Sequence, residues 1–152
     1  MAATVVLDLG SRVRKAYLEY LAVHQQIFHR EIVRSLSFKQ ADCTLADTLS
    51  RLRAELRDAL IASDRLASDS GLPVEVAYLA ELRSFASAIE DAVTRLLVLC
   101  DVFAERDPRA AEIARYRISV ERHVARELLF TQAEARLLEH VGEQPVSPRR
   151  AR

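Results

Sequence analysis

Neither glycine nor proline occurs between Gly10 and Gly71, and the chain of 152 residues contains three glycines and four prolines. These two residue types mark turns and interrupt helices, so their scarcity predicts a small number of long elements. Alanine, leucine, arginine and glutamate, which are strong helix formers, are frequent throughout. The chain is therefore predicted to be all-α.

The segment 73–106 carries the clearest helical pattern. Its apolar residues alternate spacings of four and three, which places them on one stripe of a helix. The stripe comprises Tyr78, Leu82, Phe85, Ile89, Ala92, Leu96, Leu99 and Phe103. Pro73 suits the first position of this helix, and Asp107 with Pro108 predicts where the next helix begins.

Three further segments, 4–36, 45–69 and 108–141, have the same period. In the first, the predicted core face consists of Val6, Leu9, Val13, Tyr17, Tyr20, Leu21, His24, Ile27, Phe28 and Ile32. In the second, it consists of Leu45, Leu49, Leu52, Leu56, Ala59, Ser63 and Leu66. In the last, we predict a core stripe of Ile113, Val120, Val124, Leu128, Ala135 and Leu138, flanked by a row of Tyr116, His123, Phe130 and Leu137.

Four helices of similar length with short joins predict an antiparallel up-down four-helix bundle over residues 1–142, followed by a disordered basic tail, 143–152. The join at 37–44 has an alternative, because the heptad phase continues through it. A single helix over 11–69 would then give an elongated dimer. We favour a break there, since the stripe turns polar at Glu31, Ser35 and Asp42.

Charge and cysteine content exclude several classes of function. The 22 basic and 22 acidic residues cancel, so nucleic acid is not expected as a partner. Two cysteines do not form a disulfide framework, and no apolar run approaches the length of a membrane span. With no basic, apolar start of the kind that directs secretion, the expected location is the cytoplasm.

Motifs that carry catalysis do not occur in the sequence. The three glycines stand alone, so no phosphate-binding loop is present, and no Glu-x-x-His or His-Glu-x-x-His metal motif occurs. We predict no catalytic residue and no cofactor.

The histidines suggest one candidate interior site. His24 and His123 are expected at similar levels on neighbouring antiparallel helices, near Tyr17, Tyr20 and Glu31. These groups are expected to bind a metal or a small molecule, or to act as a sensor. The alternative is a pair of hydrogen-bonded histidines at the margin of the core.

Apolar residues outside the main stripes point to association with another protein. The residues singled out are Leu97, Val98, Val102 and Leu129. Exposed apolar patches mark contact surfaces. We therefore expect a non-enzymatic interaction module, such as an adaptor, a chaperone-like binder or a scaffold subunit, that forms a homodimer or larger assembly.

Overall fold

Four helices make up the part of the chain that the computed structural model describes, namely residues 2–31, 38–104 and 110–143, with side chains described within 3–28, 45–100 and 111–142. They are α1 (Ala2–Glu31), α2 (Phe38–Asp69), α3 (Pro73–Ala104) and α4 (Ala110–Glu143). These ranges contain no strand. The predicted all-α four-helix bundle is confirmed. The predicted tail lies outside the described residues except for Glu143, which ends α4.

Helices α1 and α2 lie side by side, so the alternative of one continuous helix over 11–69 is wrong. The Arg51 guanidinium on α2 reaches the Glu19 carboxylate on α1, with 2.6 Å between Nη2 and Oε2. The predicted loop at 37–44 is also wrong over most of its length, because α2 begins at Phe38. Residues 38–44 include no glycine or proline, so the polar residues among them do not interrupt the helix.

The turn between α2 and α3 is held by Ser70 and Glu75. The Ser70 hydroxyl donates to the Glu75 carboxylate at 2.8 Å, and the Glu75 side chain is buried. The amide of Leu72 donates in turn to the Ser70 hydroxyl oxygen at 3.3 Å. Pro73 occupies the first residue of α3, as predicted, where its missing amide hydrogen costs nothing.

The predicted core stripes of the first three helices are largely buried. On α3, every described residue of the predicted stripe is buried, with at most 1% exposure. On α2, Leu66 is half-buried and the other predicted positions are buried. On α1, the buried members are Val6, Leu9, Val13, Tyr20 and Ile27, while the half-buried ones are Tyr17, Leu21, His24 and Phe28.

Helix α4 is rotated relative to the prediction. The row expected to flank the core is the buried one, formed by Tyr116, His123, Phe130 and Leu137. Four residues of the predicted stripe face solvent instead: Ala135, and also Val124 at 55%, Leu128 at 57% and Leu138 at 52% exposure. The large aromatic rings turn inward because they meet partners on α1 and α3, and this leaves an aliphatic face uncovered.

Long side chains bridge the seam between α1 and α4, whose backbones approach less closely than those of helices adjacent in sequence. Arg14 on α1 is one such bridge. Its guanidinium donates to Glu134 at 2.9 Å and to Thr131 at 3.1 Å, and it lies 4.7 Å from the centre of the Phe130 ring. A charge-assisted pair and a cation–π contact thus fasten α4 to α1.

Candidate functional site

Five aromatic side chains meet inside the seam between α1 and α4, and we call them the tyrosine–histidine cluster. Helix α1 supplies Tyr17, Tyr20 and His24 at spacings of three and four, and α4 supplies Tyr116 and His123 at a spacing of seven. These spacings place each set on one face of its helix. The two sets therefore confront each other across the seam.

Hydrogen bonds connect all five side chains in one chain. The His123 ring lies between two hydroxyls, with Nδ1 3.3 Å from Tyr17 Oη and Nε2 3.0 Å from Tyr20 Oη. Tyr20 Oη lies 2.6 Å from Tyr116 Oη, and Tyr116 Oη lies 2.6 Å from His24 Nδ1. The order along the chain is thus Tyr17, His123, Tyr20, Tyr116 and His24.

The middle of the cluster is buried and both of its ends are partly exposed. Tyr20, Tyr116 and His123 are at most 1% exposed, whereas Tyr17 and His24 are half-buried. Phe28 stacks on Tyr116 with 5.5 Å between ring centres, and Phe85 meets the edge of Tyr17 at 5.0 Å. Apolar rings therefore shield the hydrogen bonds from water, which strengthens them.

Burial keeps the cluster uncharged near neutral pH. It lowers the pKa of His123 to about 4, with the nearby His24 as a second cause, and it lowers the pKa of His24 as well. Burial also raises the pKa values of the Tyr20 and Tyr116 hydroxyls. The pKa of Tyr17 is raised first by burial and then by the Glu127 carboxylate. Neutral rings and intact phenols follow at neutral pH.

The structure brings together four of the five residues predicted for the interior site: His24, His123, Tyr17 and Tyr20. The fifth, Glu31, ends α1, and its side chain lies outside those described. Tyr116 was not predicted as a site residue, although it stands seven positions before His123 in the same row, and that spacing was the available signal. Within the described residues, no three His, Cys, Asp or Glu side chains are grouped as metal ligands.

A second candidate site is an uncharged area on the solvent side of α4, which we call the α4 patch. Val124, Leu128 and Leu129 are 55%, 57% and 40% exposed. The remaining members, also exposed, are Ala125, Gln132 and Ala135. Their spacings of three and four along α4 make the surface continuous.

The residues predicted for association do not form one surface. Leu129 belongs to the α4 patch, whereas Leu97 is half-buried on α3 and Val98 is 41% exposed there. Asp91 lies level with Ser119, which donates to it at 3.2 Å, so Val98 lies near the start of antiparallel α4, far from Leu129. The side chain of Val102 lies outside those described.

Comparison with known proteins adds no relative: no family model, curated protein or solved structure matches the chain. Among the described helices, none is long and apolar enough to cross a membrane.

Proposed function

We propose that this protein is a non-enzymatic interaction module that associates with a second copy of itself through the α4 patch. The supporting observation is the uncovered aliphatic face of α4, with Val124 and Leu128 more than half exposed. Fully burying one such side chain contributes roughly 1.5–3 kcal/mol. Covering the patch on two copies at once therefore provides a driving force for association.

Charge at the two ends of the patch supports a second copy as the partner. Glu121 precedes the patch and Arg136 follows it, and both side chains are exposed. Laying a second α4 antiparallel across the patch, with the two-fold axis between Leu128 and Leu129, brings Glu121 level with Arg136 of the second copy. Two-fold symmetry repeats this pair at the other end.

The same register also fits the apolar residues. Leu128 and Leu129 of the two copies form a central group of four leucines, and Ala125 lies level with Gln132 of the second copy. Small and uncharged residues let two helices approach closely, at the usual distance of roughly 8–10 Å between axes. An assembly of this kind suits a scaffold subunit or an adaptor.

The proposed location is the cytoplasm. Cys100, one of the chain's two cysteines, is buried as a thiol among apolar residues of α3. Buried thiols of this kind suit a reducing compartment.

The test is the molar mass in solution of Leu128→Asp and of a matched control, Ile61→Asp. Ile61 is 58% exposed on α2, almost the same exposure as Leu128, but it lies outside the α4 patch. We expect light scattering to give a dimer for the parent and for Ile61→Asp, and 17.1 kDa, one chain, for Leu128→Asp. A monomeric parent, or a dimeric Leu128→Asp, would contradict the proposal.

The antiparallel register has its own test. Glu121→Arg and Arg136→Glu each place like charges opposite one another, so each is expected to weaken dimerisation by roughly three- to tenfold. The double exchange of both residues restores the pairing and should restore the affinity. If Leu128→Asp dissociates the dimer while both reversals leave it unchanged, the patch is the interface and the antiparallel register is wrong.

Val98 remains a predicted contact, and Val98→Asp tests whether the interface extends to α3. Its exposure makes it a better choice than Leu97, which packs against the core.

The alternative function, an interior metal or small-ligand site near His24 and His123 acting as a sensor, stays a prediction. Mass spectrometry of the native protein tests it. An added mass that disappears in His24→Ala would support this alternative.

A further inference from the structure

The number of protons in the tyrosine–histidine cluster limits how its hydrogen bonds can be arranged. Four contacts join the five side chains, and each contact needs one proton between its two heavy atoms. A phenol has one hydroxyl proton, and a neutral imidazole has one N–H. The five side chains therefore supply five protons, one more than the contacts hold.

In the first arrangement, every donor points from Tyr17 toward His24. The Tyr17 hydroxyl donates to His123 Nδ1, and His123 Nε2–H donates to Tyr20. The Tyr20 hydroxyl then donates to Tyr116, whose own hydroxyl donates to His24 Nδ1. Both histidines carry their proton on Nε2.

In the second arrangement, every donor is reversed. His24 Nδ1–H donates to Tyr116, the Tyr116 hydroxyl donates to Tyr20, and the Tyr20 hydroxyl donates to His123 Nε2. His123 Nδ1–H donates to Tyr17, whose hydroxyl proton points out of the cluster. Both histidines now carry their proton on Nδ1.

Mixed arrangements leave either a proton without an acceptor or a contact without a proton in the buried middle of the cluster. With the proton on Nε2 of His123 and on Nδ1 of His24, both phenol oxygens already accept a bond from a ring. The single contact between the two phenols then holds one of their protons, and the other proton has no acceptor. The opposite mixture draws both phenol protons outward to the rings and leaves two oxygens 2.6 Å apart with no proton between them. An unmade hydrogen bond in a buried site costs about 1–3 kcal/mol.

We infer that His24 and His123 carry the same tautomer, that the cluster switches direction as one unit, and that it binds a single additional proton. A proton on His24 requires Nδ1–H at His24 and so selects the second arrangement. A proton on His123 puts N–H on both of its ring nitrogens. Its Nε2–H selects the first arrangement between His123 and His24, while its Nδ1–H donates to Tyr17 and reverses that one contact. Protons on both rings recreate the surplus at the contact between the phenols.

Charged and titratable groups around the cluster act on its ends and its middle. On α4, the negative Glu127 carboxylate raises the pKa of Tyr17, and it pairs with Arg14 of α1 at 3.7 Å. On α3, Cys100 contributes to the raised pKa of Tyr116, after burial and Tyr20. Because the negative Glu127 lies at the Tyr17 end, it favours the second arrangement, whose donors point toward it.

The cluster thereby links two half-buried positions without a movement of the backbone. Tyr17 and His24 are seven residues apart on α1, which is roughly 10 Å along the helix. Where the neutral cluster holds the first arrangement, uptake of a proton by His24 changes the donor at every contact as far as Tyr17; where it holds the second, the proton fixes that arrangement.

Nuclear magnetic resonance of protein with ¹⁵N-labelled histidine tests the inference, since the ring nitrogen shifts distinguish the two tautomers from the cation. At neutral pH we expect His24 and His123 to show the same tautomer. If this is the Nε2–H form, acidification until His24 is protonated should convert His123 to the Nδ1–H form. If both rings already carry Nδ1–H, the shared tautomer is observed directly, and His123 should keep it during the titration.

Tyr20→Phe removes the link between His123 and Tyr116, so the tautomer of His123 should no longer respond to the protonation of His24. Tyr17→Phe is the matched control, because it removes a terminal hydroxyl and leaves the path between the histidines intact. Different tautomers in the parent at neutral pH, or a His123 that keeps Nε2–H when His24 is protonated, would overturn the inference. The parent spectra decide the question even where Tyr20→Phe is poorly folded.

Discussion

The Tyr78 hydroxyl occupies the space that a side chain at position 10 would need. A Cβ built on Gly10 of α1 overlaps the Tyr78 hydroxyl and comes within 3.4 Å of Phe130. Within the described residues, the Tyr78 hydroxyl is buried with no hydrogen-bond partner. Glycine at this position thus lets α1 pack closely against a ring of α3.

Gly10→Ala is expected to lower the free energy of unfolding by about 1–3 kcal/mol, because overpacking outweighs the gain in helix propensity. Gly142→Ala is the control, since no atom lies within 4 Å of its added Cβ, and it should stabilise by up to about 1 kcal/mol. Urea unfolding measures both. Adding Tyr78→Phe to Gly10→Ala should recover most of the loss, and a failure to do so would place the strain elsewhere.

Tyr20→Phe should destabilise the fold by about 1–3 kcal/mol, because it leaves buried His123 Nε2 without its partner and removes one of the two partners of the Tyr116 hydroxyl. Tyr17→Phe removes a longer bond, 3.3 Å, from a half-buried residue and should cost less than about 1 kcal/mol. Thermal unfolding of the two variants gives the comparison. Equal losses would mean that the hydroxyl of Tyr20 contributes no more than the peripheral one.

Arg14→Lys should cost about 1 kcal/mol, since lysine cannot hold Glu134 and Thr131 together while covering the Phe130 ring. Arg83→Lys is the matched control: its ion pair with Asp64 is short, 2.7 Å, but both side chains are more than half exposed. Exposed pairs contribute little, so its unfolding curve should stay close to that of the parent. The reverse ranking would show that Arg14 does not fasten α4.

Stability should fall as the pH drops from about 6.5, the usual histidine value, toward 4. The folded state holds His123 with a pKa of about 4, so the unfolded chain binds more protons in this window, and acid favours unfolding. Complete titration of His123 is worth up to about 3 kcal/mol. His123→Gln binds no proton at this position, so its stability should decline less over the window. Equal slopes in parent and variant would assign the decline to groups other than His123, such as His24, whose pKa burial also lowers.

Periodicity alone predicted the core of α2, which has one apolar stripe with little competition. It also predicted the core of α3, where the neighbouring row of Leu79, Ala86, Val93 and Cys100 is buried together with the predicted stripe. Helix α4 has two stripes, and the sequence favoured the aliphatic one with Val124 and Leu128. The row with Tyr116 and His123 is buried instead, since its polar atoms find partners on α1. A partner stabilises a buried hydroxyl or imidazole, and the Tyr20 partner of Tyr116 is nearly a hundred residues away in the sequence.

The start of α2 was mispredicted for a related reason. Polar residues such as Asp42 and Thr44 are good caps, but capping residues also occur within helices. Whether such a residue begins a helix or lies within one depends on which face the neighbouring helix covers. A single sequence does not show this. His24 and His123 were expected at similar levels, but His24 lies level with Tyr116, and His123 lies level with Tyr17 and Tyr20. The tyrosines between the two histidines join them in one cluster.

The bond between Tyr20 and Tyr116 also bears on how the bundle is aligned. Leucine and valine side chains fit several neighbouring positions, so an aliphatic seam tolerates a slide of one helical turn, about 5.4 Å, at modest cost. A slide of that size would separate two hydroxyls that now lie 2.6 Å apart, and it would also break the three remaining hydrogen bonds of the cluster. The hydrogen-bonded cluster therefore fixes the axial position of α4 relative to α1. The apolar side chains alone would accept several such positions.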